Sequence, residues 1–168
     1  PAGSGNTERH IAMIEDYGTT VLVATPSYAL HVCEVGEKMG YDWAKSPLRV
    51  GLFGGEPCPP GLKAEIEDRM HIVCTDNYGL TEVMGPGVSG ECLASRDMQH
   101  IAEDHFLWEV VDPETGEPVP DGEMGELVLT PLGKQAIPVL RYRTHDLTRV
   151  VTEPCACGRT TARMQKVR

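Results

Sequence analysis

Residues 21–55 read VLVATPSYALHVCEVGEKMGYDWAKSPLRVGLFGG, and this stretch decides the fold. Val21-Leu22-Val23-Ala24 is a short, β-branched run of the kind found in a strand buried on both faces of a parallel sheet. Pro26 suits the first turn of a helix because its φ is already set there. Tyr28, Val32, Val35 and Met39 recur at helical spacing, and Gly40 supplies the stop. Leu48 to Phe53 returns to strand. Upstream, Asn6 or Thr7 can cap a helix that carries Ile11 and Ile14 on one face and ends at Gly18. Downstream, Leu62, Ile66 and Met70 mark another amphipathic helix, and His71 to Cys74 a third strand. Strand, helix, strand, helix, strand with short connections predicts a parallel sheet with right-handed crossovers.

The second half changes character. Phe106 to Val111, Gly125 to Thr130, Ile137 to Tyr142 and Leu147 to Val151 read as strands, with a turn cluster at Asp112-Pro113-Glu114-Thr115-Gly116. Tyr142-Arg143-Thr144-His145-Asp146-Leu147 reads as a polar break between two of them. No helical period of useful length occurs there. The fold class is therefore α/β: a parallel βαβαβ lobe over residues 1–90, then a small β-rich lobe over 91–168. The change falls in residues 83–100, where Gly85, Pro86, Gly87 and Gly90 crowd together.

Composition narrows the function classes. The 168 residues are 40% hydrophobic and 24% charged, as in an ordinary globular protein. No run approaches the roughly 18 apolar residues of a membrane helix, and no signal peptide opens the chain, so no membrane partner is expected. A formal charge of −10 argues against a nucleic-acid partner, which needs clustered Lys and Arg, but not against a small nucleotide. Six cysteines without a secretory signal suggest reduced thiols or metal ligands and a cytoplasmic location. Cys33 and Cys74 sit in apolar runs and read as packing residues.

Three polar loops leave the C-terminal ends of the three parallel strands: Thr25-Pro26-Ser27-Tyr28, Gly54-Gly55-Glu56-Pro57, and Asp76 through Glu82. Ligands of open parallel sheets bind outside those ends. Gly54 and Gly55 let a flat base lie against the backbone. Tyr78 offers a ring face, Thr81 a hydroxyl for a phosphate oxygen, and Glu82 a hard carboxylate for Mg²⁺. Asp146, fixed between strands, can accept both hydroxyls of a ribose.

These motifs, YGLTE over 78–82, GGEP over 54–57, GELVLT over 125–130 and Tyr142-Arg143-Thr144-x-Asp146, resemble successive core motifs of the AMP-forming acyl- and aryl-CoA ligases. YGLTEVMGPG over 78–87, Glu103-Asp104-His105-Phe106 and Pro154-Cys155-x-Cys157-Gly158-Arg159-Thr160 are similar to the phenylacetate-CoA ligase subfamily in particular. The resemblance implies an enzyme that uses ATP to turn an aryl carboxylate, phenylacetate foremost, into an acyl-adenylate and passes it to coenzyme A. It implies that Gly54, Gly55, Glu56, Pro57, Asn77 and Tyr78 frame the adenine. Thr81 and Glu82 would form the catalytic pair at the α-phosphate and Mg²⁺, and Asp146 would hold the ribose. Tyr28, Gly54, Met84, Gly85 and Pro86 would line the aryl pocket. Asn77 stands where phenylacetate enzymes are expected to carry an apolar residue. His145 occupies a position that is often glycine in the wider superfamily, and no role is attached to it.

The superfamily's phosphate loop and its lysine-bearing C-terminal domain are not found. Gly3-Ser4-Gly5-Asn6-Thr7 matches a later loop before a helix, and Lys166 is too close to the expected hinge to act. The chain is expected to be an internal segment of a larger ligase, inactive alone, with a homodimer open to the full-length enzyme. Two rivals stand: a relative that adenylylates a cofactor, and a zinc-stabilised binding module without catalysis.

Cys92, His100, Cys155 and Cys157 form a candidate structural zinc site. The Cys-x-Cys pair between Pro154 and Gly158 suits a tight turn aiming two thiolates inward. With Cys92 and His100 from a glycine-rich, irregular stretch it completes the Cys₃His set that zinc takes. His105 is an alternative imidazole, though its place before Phe106 suits a strand start. Similar cysteines accompany these motifs in the resembling subfamily, some with zinc. A Cys155–Cys157 disulfide would close a strained ring.

Overall fold

The computed structural model describes residues 5–85 and 87–167. Gly3, Ser4 and Pro86 of the motifs above lie outside the described residues. The chain divides into two compact units, one ending at Asp76 and the other beginning at Asn77.

In the first unit, Asn6 caps α1 (Thr7–Asp16) by accepting from the Arg9 N–H, and β1 (Val21–Ala24) follows. Thr25 caps α2 (Pro26–Lys38) through a bond from the Tyr28 N–H, and a 3₁₀ turn covers Trp43–Lys45. Then come β2 (Val50–Phe53), α3 (Pro60–Met70) and β3 (Val73–Tyr78). β1, β2 and β3 lie parallel and side by side, Val21 opposite Val50 and Val50 opposite Val73. Strand periodicity sends Phe53 and Cys74 to the face where the helices supply Ile11, Ile14, Ala29, Val32, Cys33, Ile66 and Met70, and these form one core. Trp43 joins it, donating from its indole N–H to the Cys33 carbonyl (3.2 Å). Each large apolar side chain buried here contributes about 1.5–3 kcal/mol relative to exposure.

The expectation that β1 is buried on both faces is overturned: Val21 and Val23 are 44% and 67% exposed. β1 pairs only with β2 among the described residues, and the helices it meets cover only the Leu22/Ala24 face. Met39 likewise leaves the predicted stripe and is exposed, because α2 buries Ala29, Val32, Cys33 and Gly36 instead. β3 runs four residues beyond the predicted Cys74. Asp76 still pairs with Phe53 of β2, and Asn77 and Tyr78 pair with β4. The units therefore divide inside β3, ahead of the glycine-rich stretch at 83–100.

In the second unit, β4 (Ser89–Cys92) pairs antiparallel with β5 (Ser95–Ile101), β5 with β10 (Arg163–Gln165), and β10 with β9 (Val150–Val151). A separate antiparallel sheet holds β6 (Phe106–Val111), β7 (Gly125–Pro131) and β8 (Tyr142–Thr148). Their shared core contains Val83, Val88, Ile101, Phe106, Leu127, Leu129 and Met164. The strand expected over Ile137 to Tyr142 does not form before Tyr142: Ile137 and Arg141 have φ of +51° and +48°, and Pro138 has no N–H to give a ladder. The predicted break at Tyr142–Leu147 is itself strand β8, its polar side chains bonded to β7.

Candidate functional site

In the first unit the loops after β1 and β2 are joined. The Gly54 N–H donates to the Ala24 carbonyl (3.3 Å), and the Ser27 N–H donates to Glu56 Oε1 (2.6 Å). Hydrogen bonds from the Ser27 hydroxyl and N–H hold the Glu56 carboxyl below its ordinary range, so it is a fixed anion. Gly55 turns at φ +79°, where a side chain would be strained. Pro57 follows in the same loop, and the loop pair thus carries all of Gly54, Gly55, Glu56 and Pro57. Tyr28 is half-buried on α2, its hydroxyl 2.7 Å from His10 Nδ1 and 3.3 Å from Thr7 Oγ1, with the His31 ring centroid 6.0 Å from its own. This His10–Tyr28 contact had no signal in the sequence, because Tyr28 already fitted a helical apolar stripe.

In the second unit, β3 ends with Asn77 opposite Gly90 and Tyr78 opposite Ser89. The Tyr78 hydroxyl donates to Asp146 Oδ2 at 2.6 Å, joining two motifs 68 residues apart. Burial and the Asp146 carboxylate push the Tyr78 hydroxyl well above its ordinary pKa, so it stays a donor. Thr81 and Glu82 follow in an exposed turn closed by the Met84 N–H on the Leu80 carbonyl (3.2 Å). Met84 and Gly85 are exposed beside it.

Asp146 owes its place to a bulge in β8. Register shifts between Glu126 and Val128, and His145 sits at φ +63°. Glu126, 2% exposed, accepts from the His145 N–H (3.1 Å) and from Arg143 Nε (2.9 Å) and Nη2, and lies 3.2 Å from His145 Nδ1. The Arg143 guanidinium holds the Glu126 carboxyl below the ordinary range. Thr144 Oγ1 donates to the Leu127 carbonyl and accepts from the Asp146 N–H. Within GELVLT over 125–130, the one sequence signal for Glu126 is an acidic residue inside an otherwise apolar strand. Lys134, also unassigned by sequence, donates from Nζ to the Glu82 carbonyl.

The metal candidates do come together. The ligand atoms of Cys92, His100, Cys155 and Cys157 all lie within 4.8 Å of one another. Cys92 Sγ and Cys155 Sγ are 3.7 Å apart, and Cys157 Sγ is 3.4 Å from His100 Nε2. Zn–S and Zn–N bonds of about 2.3 and 2.0–2.1 Å give tetrahedral edges of about 3.8 and 3.6 Å. All three thiols are free, and their spacing is far from a disulfide's roughly 2.05 Å. Burial and the nearby Arg159 charge lower the His100 pKa, favouring the neutral imidazole, and Nδ1 bonds Thr161 Oγ1 (2.9 Å), leaving Nε2 toward the sulfurs. N–H bonding from Cys157 lowers Cys155, whereas burial raises Cys92. Gly158, at φ +86°, closes the turn by donating to the Cys155 carbonyl (2.9 Å). Cys92 and His100 stand on β4 and β5, not in irregular chain as expected, because these polar strands are held by ladder bonds.

The family model for AMP-binding enzymes matches residues 2–132. The chain belongs to the AMP-binding enzyme family. Within this family it is 48% identical over 167 residues to a phenylacetate-coenzyme A ligase of Aromatoleum evansii, covering 99% of this chain and 37% of that protein. A phenylacetate-coenzyme A ligase of Escherichia coli is 46% identical over 168 residues, covering 99% and 38%. This member of the family thus spans well under half the length of the curated relatives it matches. Among solved structures, an open conformation of 2-hydroxyisobutyryl-CoA ligase, in complex with 2-HIB-AMP and CoA, aligns at TM-score 0.89 and 28% identity, over 98% of this chain and 36% of that one. No helix among the described residues is long and apolar enough to cross a membrane.

Proposed function

We propose that the full-length protein joins an aryl carboxylate, phenylacetate in the first instance, to coenzyme A through an acyl-adenylate made from ATP. The observation that carries this reading is the Tyr78–Asp146 hydrogen bond, which unites the adenine-side and ribose-side motifs on one unit. With Oδ2 engaged by Tyr78, Asp146 retains Oδ1 for a ribose hydroxyl, and the tyrosine ring is held in place for a base. The same reading assigns recognition of the adenine to Gly54, Gly55, Glu56 and Pro57 of the first unit and to Asn77 of the second. Thr81 donates to an α-phosphate oxygen, and the exposed Glu82 carboxylate would hold Mg²⁺, which when bound neutralises phosphate charge. The same reading assigns recognition of the aryl group to Tyr28, Gly54, Met84, Gly85 and Pro86. Cys92, His100, Cys155 and Cys157 fit a structural zinc ion that clips β4 and β5 to the 155–158 turn. Six free thiols suit a reducing compartment, the cytoplasm.

Carboxylate-dependent exchange of pyrophosphate into ATP tests this in the full-length protein. Phenylacetate should support exchange, and Glu82→Gln should lower it about 100-fold, the scale for losing one group that stabilises transition-state charge. Asp146→Ala should mainly raise KM for ATP, because ribose contacts are made in ground and transition state alike. Exchange that is absent with every aryl acid, or unchanged in Glu82→Gln, defeats the reading.

A further inference from the structure

The loop after β7, residues 132–141, is largely solvent-exposed; Leu132, Ile137 and Leu140 are 60–82% exposed. It is nonetheless held. The Arg141 N–H donates to Thr130 Oγ1 (2.8 Å), and Arg141 Nε donates to Glu109 (3.1 Å). Lys134 leaves this loop half-buried and brings its ammonium to the Glu82 carbonyl, on the same turn as the Thr81 hydroxyl and the Glu82 carboxylate. A lysine ammonium has three N–H donors and no acceptor, so one bond to a carbonyl leaves two for another oxygen. No carboxylate among the described residues lies within ion-pair distance of Lys134. In a chain of charge −10, a cation that is anchored by a neutral carbonyl keeps its whole charge for an incoming anion.

We infer that Lys134 is a catalytic residue for adenylation, its ammonium contacting a phosphate oxygen of the nucleotide held at the Thr81–Glu82 turn. This rests on the proposed reading of that turn as the phosphate site. In the step concerned, a substrate carboxylate oxygen forms a bond to the α-phosphorus. The bond from that phosphorus to the bridging oxygen breaks, and pyrophosphate leaves with the electron pair. No proton moves, and Lys134 stays protonated throughout. Negative charge shifts onto the α-phosphoryl and departing oxygens, where a fixed ammonium stabilises the transition state more than the ground state. A carbonyl anchor also fixes the direction of a flexible four-carbon stem that water would otherwise leave to wander.

The test is pyrophosphate exchange in the full-length protein with Lys134→Ala and Lys134→Arg, alongside Glu82→Gln and thermal melting. Lys134→Ala should lower kcat/KM for ATP about 100-fold, and Lys134→Arg should recover at least tenfold of that, both melting as wild type does. Lys134→Ala within threefold of wild type while Glu82→Gln is crippled overturns the role of Lys134 and leaves the ligase reading standing. Equal impairment of the Ala and Arg variants also overturns it, since a loop staple rather than a charge would then be at work. A wild-type protein without exchange removes the ligase reading and this role with it.

Discussion

Replacing Tyr78 by Phe deletes one hydroxyl and nothing else from the place where two distant motifs meet. The bond it removes is 2.6 Å long, in the range of a hydroxyl donating to a charged oxygen. Such bonds contribute about 1.5–3 kcal/mol net. Tyr78 and Asp146 are both only half-buried, so water screens the pair and the lower end applies, about 1.5 kcal/mol. That is roughly a twelvefold fall in the folding constant. Urea melts at neutral pH read it as a midpoint lower by about 0.5–1.5 M at the slopes usual for small domains. Asp146→Asn and the double variant complete a cycle whose coupling term should be of the same size. The tyrosine's pKa is raised in the fold, so the contribution is full below its unperturbed value of 10.0 and is lost as pH rises beyond it. Wild type should therefore lose stability above pH 10 more steeply than Tyr78→Phe. A variant within 0.3 kcal/mol of wild type by this about 1.5 kcal/mol criterion, with the same alkaline slope, refutes the reasoning.

Protein purified without added metal should carry about one zinc per chain, as a single Cys₃His set binds one ion. The Cys155→Ser/Cys157→Ser variant should lose it and melt lower; metal-free wild type with the same melting as the variant ends the zinc assignment. His145 holds a left-handed backbone conformation that costs a non-glycine residue about 1–2 kcal/mol. His145→Gly should therefore fold at least as stably as wild type, and the β-branched His145→Val should be destabilised by about 1–3 kcal/mol. Equal melting of the two variants would show that the bulge relaxes freely.

The sequence made the parallel unit readable because its signals are local. Thr25 and Pro26 start a helix, Gly40 ends one, and Val21–Ala24 and Val50–Phe53 are β-branched or aromatic runs. What it could not show is which faces are covered: an apolar tetrapeptide looks the same whether a second layer lies over Val23 or not. β4, β5 and β8 escaped for a different reason. Ser89-Gly90-Glu91-Cys92, Ser95–Ile101 and Tyr142–Thr148 are mostly polar, and they are strands because distant partners complete their ladders. Ile137–Leu140 failed in the opposite sense, being apolar yet kept out of a ladder by a positive φ and a proline. At the candidate site, residue types with chemical potential were readable as candidates: Thr81, Glu82, Asp146, and the Cys-x-Cys pair. Residues that act by holding others, Glu126 above all, did not, since nothing in Gly125-Glu126-Leu127 says that the carboxylate turns inward.

The pairing of β5 with β10 has a consequence for how the polypeptide is made. Gln99 meets Met164, and Cys92 meets Cys155 from 63 positions away, while the whole β6–β8 sheet lies between them in the chain. At about 5–20 residues per second, translation leaves β5 with one open edge, and Cys92 with half of its Cys/His cluster, for roughly 3–13 seconds. The β6–β8 sheet needs only its sequence neighbours and can close during that wait. An open edge is a template for the wrong partner, and a half-formed cluster is open to oxidation. The yield of native protein from a producing cell should accordingly follow redox state and temperature at the time of synthesis, and zinc supply as well if the proposed ion binds there.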